Sequence, residues 1–219
     1  MTLKTFLVTA HLAPSLTAVG LLLFLIRYKA KQDYIKLLGL MLLASVIATA
    51  GQFLLFEIKI TPNYASSIYY ILELPMLATI YYLATNKTIP RTSVIIISGA
   101  YVVLGFWNLF FLQKNGINSY TLVMESIIII FYALYYFYWL IEKLPTTQLH
   151  RLPMFWLNSA WIFFFSGNLF FFAFISYLVN VEKNDLLVYW TLHNILKAIE
   201  VLMMVSALWI DLRNIKSPS

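Results

Sequence analysis

Apolar runs of about twenty residues recur along the whole chain, separated by short polar stretches, and their length is what crossing about 30 Å of hydrocarbon at 1.5 Å per residue requires. They predict seven transmembrane helices: Thr5 to Ile26, Leu37 to Ile58, Ser67 to Thr85, Ser93 to Leu112, Leu122 to Ile141, Met154 to Val179 and Leu187 to Ile210. Turn formers at Thr61-Pro62-Asn63, Lys114-Asn115-Gly116 and Glu182-Lys183-Asn184-Asp185 fit short links between antiparallel neighbours. The expected fold is an all-α integral membrane bundle of seven helices. Residues 1–219 read as a single transmembrane domain with no soluble domain. Pro14 and Pro75 fall inside spans, where membrane helices tolerate them. No repeat relates the two halves, which weighs against an inverted-repeat transporter.

Composition agrees with the pattern: the 219 residues are 62% hydrophobic and 11% charged, with a mean hydropathy of +0.81. The chain has no cysteine, which excludes disulfides and thiolate chemistry and leaves oxygen and imidazole ligands. The net charge of +6 is spread over short loops rather than one long face, so no nucleic-acid partner is expected.

The basic residues divide by side. Arg27, Lys29, Lys31, Lys36, Lys87, Arg91, Lys143, Arg151, Arg213 and Lys216 fall on one side, and Lys4, Lys59, Lys114 and Lys183 on the other. The richer side is expected in the cytoplasm, which puts the N-terminus outside and the C-terminus inside, in the cytoplasmic (inner) membrane of a multi-pass protein. The cluster after the first run, and the lack of a small-residue cleavage site at its end, mark Phe6 to Ile26 as a retained helix. Trp107 and Trp190 near one boundary, and Trp139, Trp156, Trp209 and the Tyr81-Tyr82 pair near the other, are expected in the headgroup belts.

Ionisable side chains at bilayer depth are costly unless paired or wet, and so mark candidate sites. Here they are His11, Glu73, Glu125, His193, Lys197 and Glu200. At about 100° per residue, His193, Lys197 and Glu200 share about 60° of one helix face. His11, Glu73 and His193 each lie about 9 Å inside the N-terminal side of the membrane, with Gln52 at a similar level. Asn108 and Glu125 sit nearer that surface, Asn168 and Lys197 deeper, and Glu200 beneath them. The expected site is an outward-facing cavity that narrows inward, with Glu73, His193, Lys197, Glu200, Glu125, His11, Gln52 and Asn168 as ligand- or proton-sensing residues; no catalytic residue is assigned. The competing structural reading makes Lys197 and Glu200 a self-neutralising pair, and Asn158, Ser166 and Asn168 interhelical hydrogen bonders. The aromatic residues of the sixth span then serve packing, or form an apolar ligand wall.

The string Pro153-Met154-Phe155-Trp156-Leu157-Asn158-Ser159, with His193-Asn194-Ile195-Leu196 and Leu208-Trp209-Ile210 further on, resembles multi-helix membrane regions of Bacteroidota, some of which stand before sensor kinases. The resemblance covers the last three spans and implies signalling, although this chain carries no kinase domain after them. The leading expectation is a stand-alone sensory or receptor-like membrane protein. Its signal would pass to a membrane or cytoplasmic partner, because the tail from Asp211 to Ser219 is short. A proton-coupled transporter, or a pore formed by a homo-oligomer, is the second reading. A membrane zinc hydrolase, with His11, Glu73 and His193 as ligands, is the third. A retinal protein is the fourth, with Lys197 and Glu73 as the Schiff-base lysine and counterion, although His193 stands where an Asp is usual.

Overall fold

Hydrocarbon offers backbone amides no water, so a chain this apolar satisfies them within helices. The computed structural model describes residues 3–26, 28–58, 63–113, 118–143, 148–179 and 186–216. Among them are seven long helices and no strand: α1 (Leu3–Leu25), α2 (Asp33–Glu57), α3 (Asn63–Ala84), α4 (Arg91–Trp107), α5 (Ser119–Lys143), α6 (Pro153–Tyr177) and α7 (Leu186–Lys216). The first six are long and apolar enough to cross a membrane. At 31 residues α7 is the longest, and it carries His193, Lys197 and Glu200 in its middle. The turn formers Thr61-Pro62, Lys114-Asn115-Gly116 and Glu182 to Asp185 lie outside the described residues, as do Arg27, Lys59, Lys114 and Lys183.

Helix limits differ from the expected spans where polar residues found partners. α2 starts at Asp33 rather than Leu37; the carboxylate suits a helix N-terminus and meets Lys36 Nζ at 3.0 Å. α7 runs through Ile210 to Lys216, because Asp211 is drawn inward by Lys31, with Nζ 3.1 Å from Oδ2 and side chains 0% and 4% exposed. Lys31 stays in the α1–α2 link where the sequence placed it, but it is buried there rather than left at the surface. α4 ends in a π-helical turn, Asn108–Leu112, where the Asn108 amide donates to Asn118 and to Thr121 Oγ1.

The Lys31–Asp211 pair and the bond from Asn214 Nδ2 to the Arg151 carbonyl tie the α1–α2 link, the α5–α6 link and the end of α7 together at one end of the bundle, here its C-terminal end. α7 packs along both α1 and α6, α5 against α6, and α3 against α2, α4 and α5. The core is densest toward that end, where Leu38, Leu77, Ile80, Tyr81, Trp161 and Leu208 are fully enclosed. Tyr81 donates to Asn158 Oδ1 at 2.8 Å, and Asn158 Nδ2 donates to the Ala133 carbonyl at 3.3 Å. Asn158 thus does bridge helices, as its structural reading expects. Tyr81 and Trp139, 0% and 7% exposed, face other helices, and the Tyr81 hydroxyl, with a buried acceptor, needs no water. Trp107 and Trp209, about half exposed, keep surface positions.

α1 and α2 form a wedge. The Phe24 ring covers Gly39 so closely that a Cβ there would collide with it, which is why glycine stands at the position. Gly20 is likewise close enough for its Cβ to lie 3.5 Å from Leu42. Toward the N-terminal end of the bundle α1 stays on α7 and α2 stays on α3, with a Cβ on Gly51 3.4 Å from that of Ala65. The two helices therefore part, and a cavity opens beside them.

Candidate functional site

The cavity has a volume of about 590 Å³ and is lined from α1, α2, α3, α5, α6 and α7. Its walls are largely apolar, including Leu21, Leu42, Phe165 and Met204, and its polar groups include Gln52, Glu73, Glu125, His193 and Lys197. Volume and lining match the sites that take small organic ligands, about 300–1,000 Å³ with few polar groups in apolar walls.

Each polar group is placed by its helix. On α7 the one-turn step from Lys197 to Glu200 lets the ammonium meet Oε2 at 2.7 Å. Glu200 is enclosed at 1% exposure, while 32% of the Lys197 side chain remains open, which suits a residue lining a cavity. The ammonium also sits 4.5 Å from the centre of the Phe164 ring, a cation–π contact from α6. On α3, Tyr69 lies one turn before Glu73 and donates its hydroxyl proton to Oε1 at 3.0 Å. On α5, Glu125 is 1% exposed and neither carboxylate oxygen has a hydrogen-bond donor among the described residues. The nearby Tyr101 hydroxyl does not supply one, because it donates to the Tyr70 carbonyl at 3.0 Å.

Lys197 shares the cavity with Glu73 and Glu125 and holds Glu200 at 2.7 Å. With all four groups ionised, three carboxylates and one ammonium sum to −3 + 1 = −2. In a low-dielectric site such an imbalance calls for protons or another cation.

His193 is held by a separate arrangement. Its Nδ1 lies 2.8 Å from Asn168 Oδ1, and Asn168 Nδ2 donates to the Phe164 carbonyl at 2.9 Å. With the Asn168 amide so oriented, its oxygen accepts, and Nδ1 must carry the proton. Phe164, Phe171, Phe172 and Trp190 surround the imidazole at centroid distances of 5.5 to 5.8 Å. The aromatic run of α6 is thus divided: Phe163 and Phe170 face outward, Phe164, Phe165 and Phe172 wall the cavity, and Phe171 covers His193.

Glu73, Glu125, His193, Lys197 and Gln52 therefore meet at one cavity, with Asn168 and Glu200 directly behind His193 and Lys197. His11 does not join them. The cavity face of α1 is Ala10, Ala13, Pro14 and Thr17, the i, i+3, i+4, i+7 set, and His11 lies one residue off that stripe, exposed on the outside of the helix. The zinc set of His11, Glu73 and His193 is not assembled, and no group of three metal-ligating side chains stands together among the described residues. Asn108 also lies apart, bonded into the α4–α5 turn.

Sequence reasoning missed Tyr69, and it named Phe164 only among the aromatic residues of the sixth span without singling it out. Tyr69 stands four residues before Glu73, the spacing of facing helix neighbours, so its role was legible in principle. Phe164 is one of several phenylalanines on α6, and only packing against α7 distinguishes it. The chain matches no known family model, no curated protein and no solved structure, so the meaning of the site rests on its geometry.

Proposed function

We propose that this chain is a seven-span receptor-like protein of the cytoplasmic membrane, with its N-terminus outside. It binds a small ligand in the cavity, and α7 reports occupancy to a partner at the C-terminal end of the bundle. The observation that carries this reading is the meeting of Glu73 of α3, Glu125 of α5 and Lys197 of α7 at one cavity, with Glu200 2.7 Å from the Lys197 ammonium. Anything that alters the pairing of Lys197 with Glu200 acts on the helix whose far end holds Lys31 through Asp211. A ligand shifts a conformational equilibrium only by its differential affinity for the two states, and a charged network inside a cavity supplies that difference. The enclosed core around Leu77, Tyr81, Trp161 and Leu208 between the cavity and the C-terminal end favours reporting over conduction. The resemblance of the last three spans to membrane regions that precede sensor kinases points the same way.

Glu200→Gln tests the proposal, since it removes a charge at nearly constant volume. Spin labels on Arg213→Cys in α7 and Lys143→Cys in α5 report the C-terminal end of the bundle, and the chain has no cysteine of its own to compete. We expect the distance distribution between them to shift in the Glu200→Gln background. An unchanged distribution would overturn the reporting role of α7. A proton flux in liposomes that Glu200→Gln abolishes would establish a proton relay instead.

A further inference from the structure

We infer that the cavity takes an amphiphilic organic cation, an alkylammonium, which enters from the bilayer between α1 and α2 and seats its charge against Glu125. The inference rests on the receptor reading above and names the ligand class of the same site.

Three independent observations converge on it. The first is the wedge: α1 and α2 are locked at Phe24 and Gly39 and part toward the N-terminal end, while each keeps its other neighbour. Pro14 and Ala18 of α1, with Val46, Thr49 and Ala50 of α2, line the cavity and are exposed. Those positions lie within the apolar spans Lys4–Leu25 and Asp33–Gln52, so the opening faces acyl chains rather than water. The second is the lining, whose apolar walls accept a hydrocarbon tail.

The third is the state of the charged groups. Lys197 already holds Glu200 at 2.7 Å, and Glu73 already accepts from Tyr69. Glu125, lining the cavity and 1% exposed, lacks a hydrogen-bond donor on either oxygen among the described residues. A primary ammonium brings three donors and one positive charge, which answers both the unpartnered carboxylate and the excess of negative charge. An anionic amphiphile would have to take Lys197 from Glu200. A neutral one would leave Glu125 as it is.

The test uses the full chain in phosphatidylcholine nanodiscs, whose zwitterionic surface does not by itself concentrate cations, with dodecylamine, dodecanol and dodecanoate as probes. Ligands that bind the folded state raise its thermal midpoint. We expect dodecylamine to raise it, dodecanol to raise it less and dodecanoate not at all. In Glu125→Gln the advantage of the amine over the alcohol should fall by about thirtyfold or more in affinity, as for loss of one partner of a buried charge pair. Equal effects of the three probes on wild type, or a preference for dodecanoate, would overturn the ligand class without recourse to any variant. Retention of the amine preference in Glu125→Gln would overturn the role of Glu125.

Ala50→Trp places a ring in the mouth between the helices. It should slow amine association by about tenfold while the ranking of the probes stays the same, and an unchanged rate would overturn entry from the bilayer. The two proposals fail separately. Amine binding without a shift of the α7 labels would sink the receptor reading and keep the site. A shift in Glu200→Gln with no amine preference would do the reverse.

Discussion

At the scale of single residues, the polar groups of the bundle differ in how completely they are answered. Lys31 and Asp211 satisfy each other in an enclosed pair with side chains 0% and 4% exposed. Removing one member of such a pair leaves a buried charge and costs about 3–5 kcal/mol, whereas replacing both by apolar residues of similar volume is near neutral. Lys31→Met should therefore lower the thermal midpoint strongly, and Lys31→Met combined with Asp211→Leu should recover most of the loss. Equal loss in the single and double variants would mean that the pair's contribution is not electrostatic. Tyr81 presents a neutral counterpart: Tyr81→Phe leaves Asn158 Oδ1 without its donor in a closed core, at a cost of about 1–3 kcal/mol. That loss should appear as a lower unfolding midpoint with the α-helical circular dichroism unchanged. Glu125 stands at the other extreme, an enclosed carboxylate with no donor on either oxygen among the described residues.

At the scale of helices, the architecture was legible because membrane crossing imposes a length and an apolarity that composition reveals directly. The end of α7 was not, since Asp211 and Arg213 look like a polar tail until Lys31 supplies the interior partner that keeps the helix going. The face of α7 was legible from spacing alone, because His193, Lys197 and Glu200 sit on one helix and the helical repeat fixes their relation. Depth alone misled for His11: residues at one level of different helices meet only if each faces inward, and depth carries no rotation. The cavity stripe on α1, Ala10, Ala13, Pro14 and Thr17, is made of small residues that hydropathy scarcely separates from their neighbours. Nor does a run of apolar residues reveal that α1 and α2 diverge. That rests on Gly39, where Phe24 leaves no space for a Cβ. Gly39→Ala should force the Phe24 ring aside at about 1–3 kcal/mol, the usual cost of overpacking. Adding Phe24→Leu, which withdraws the ring, should return part of the stability. A Gly39→Ala variant as stable as wild type would show that α1 and α2 are not locked at that point.

At the scale of the whole molecule, the way the bundle sits in the membrane turns on α7. Six helices satisfy length and apolarity outright, whereas α7 takes His193, Lys197 and Glu200 into its middle. Such a helix crosses the bilayer only if its charged face is covered by protein. The bundle covers it: Lys197 meets Glu200 and Phe164, His193 meets Asn168, and the end of α7 is bonded to the α1–α2 and α5–α6 links. Seven crossings put the termini on opposite sides, and six put them on the same side. Single cysteines at Lys4, Lys87 and Arg213, all exposed in a chain without native cysteine, report this directly with a membrane-impermeant maleimide on intact cells. The distribution of basic residues leads us to expect Lys4→Cys to react from outside, and Lys87→Cys and Arg213→Cys only after permeabilisation. Reaction of both Lys4→Cys and Arg213→Cys from outside would give an even number of crossings and remove α7 from the membrane. Full reversal of the pattern would keep seven crossings but turn the mouth between α1 and α2 toward the inner leaflet, so that the cavity would sample lipids of the cytoplasmic face.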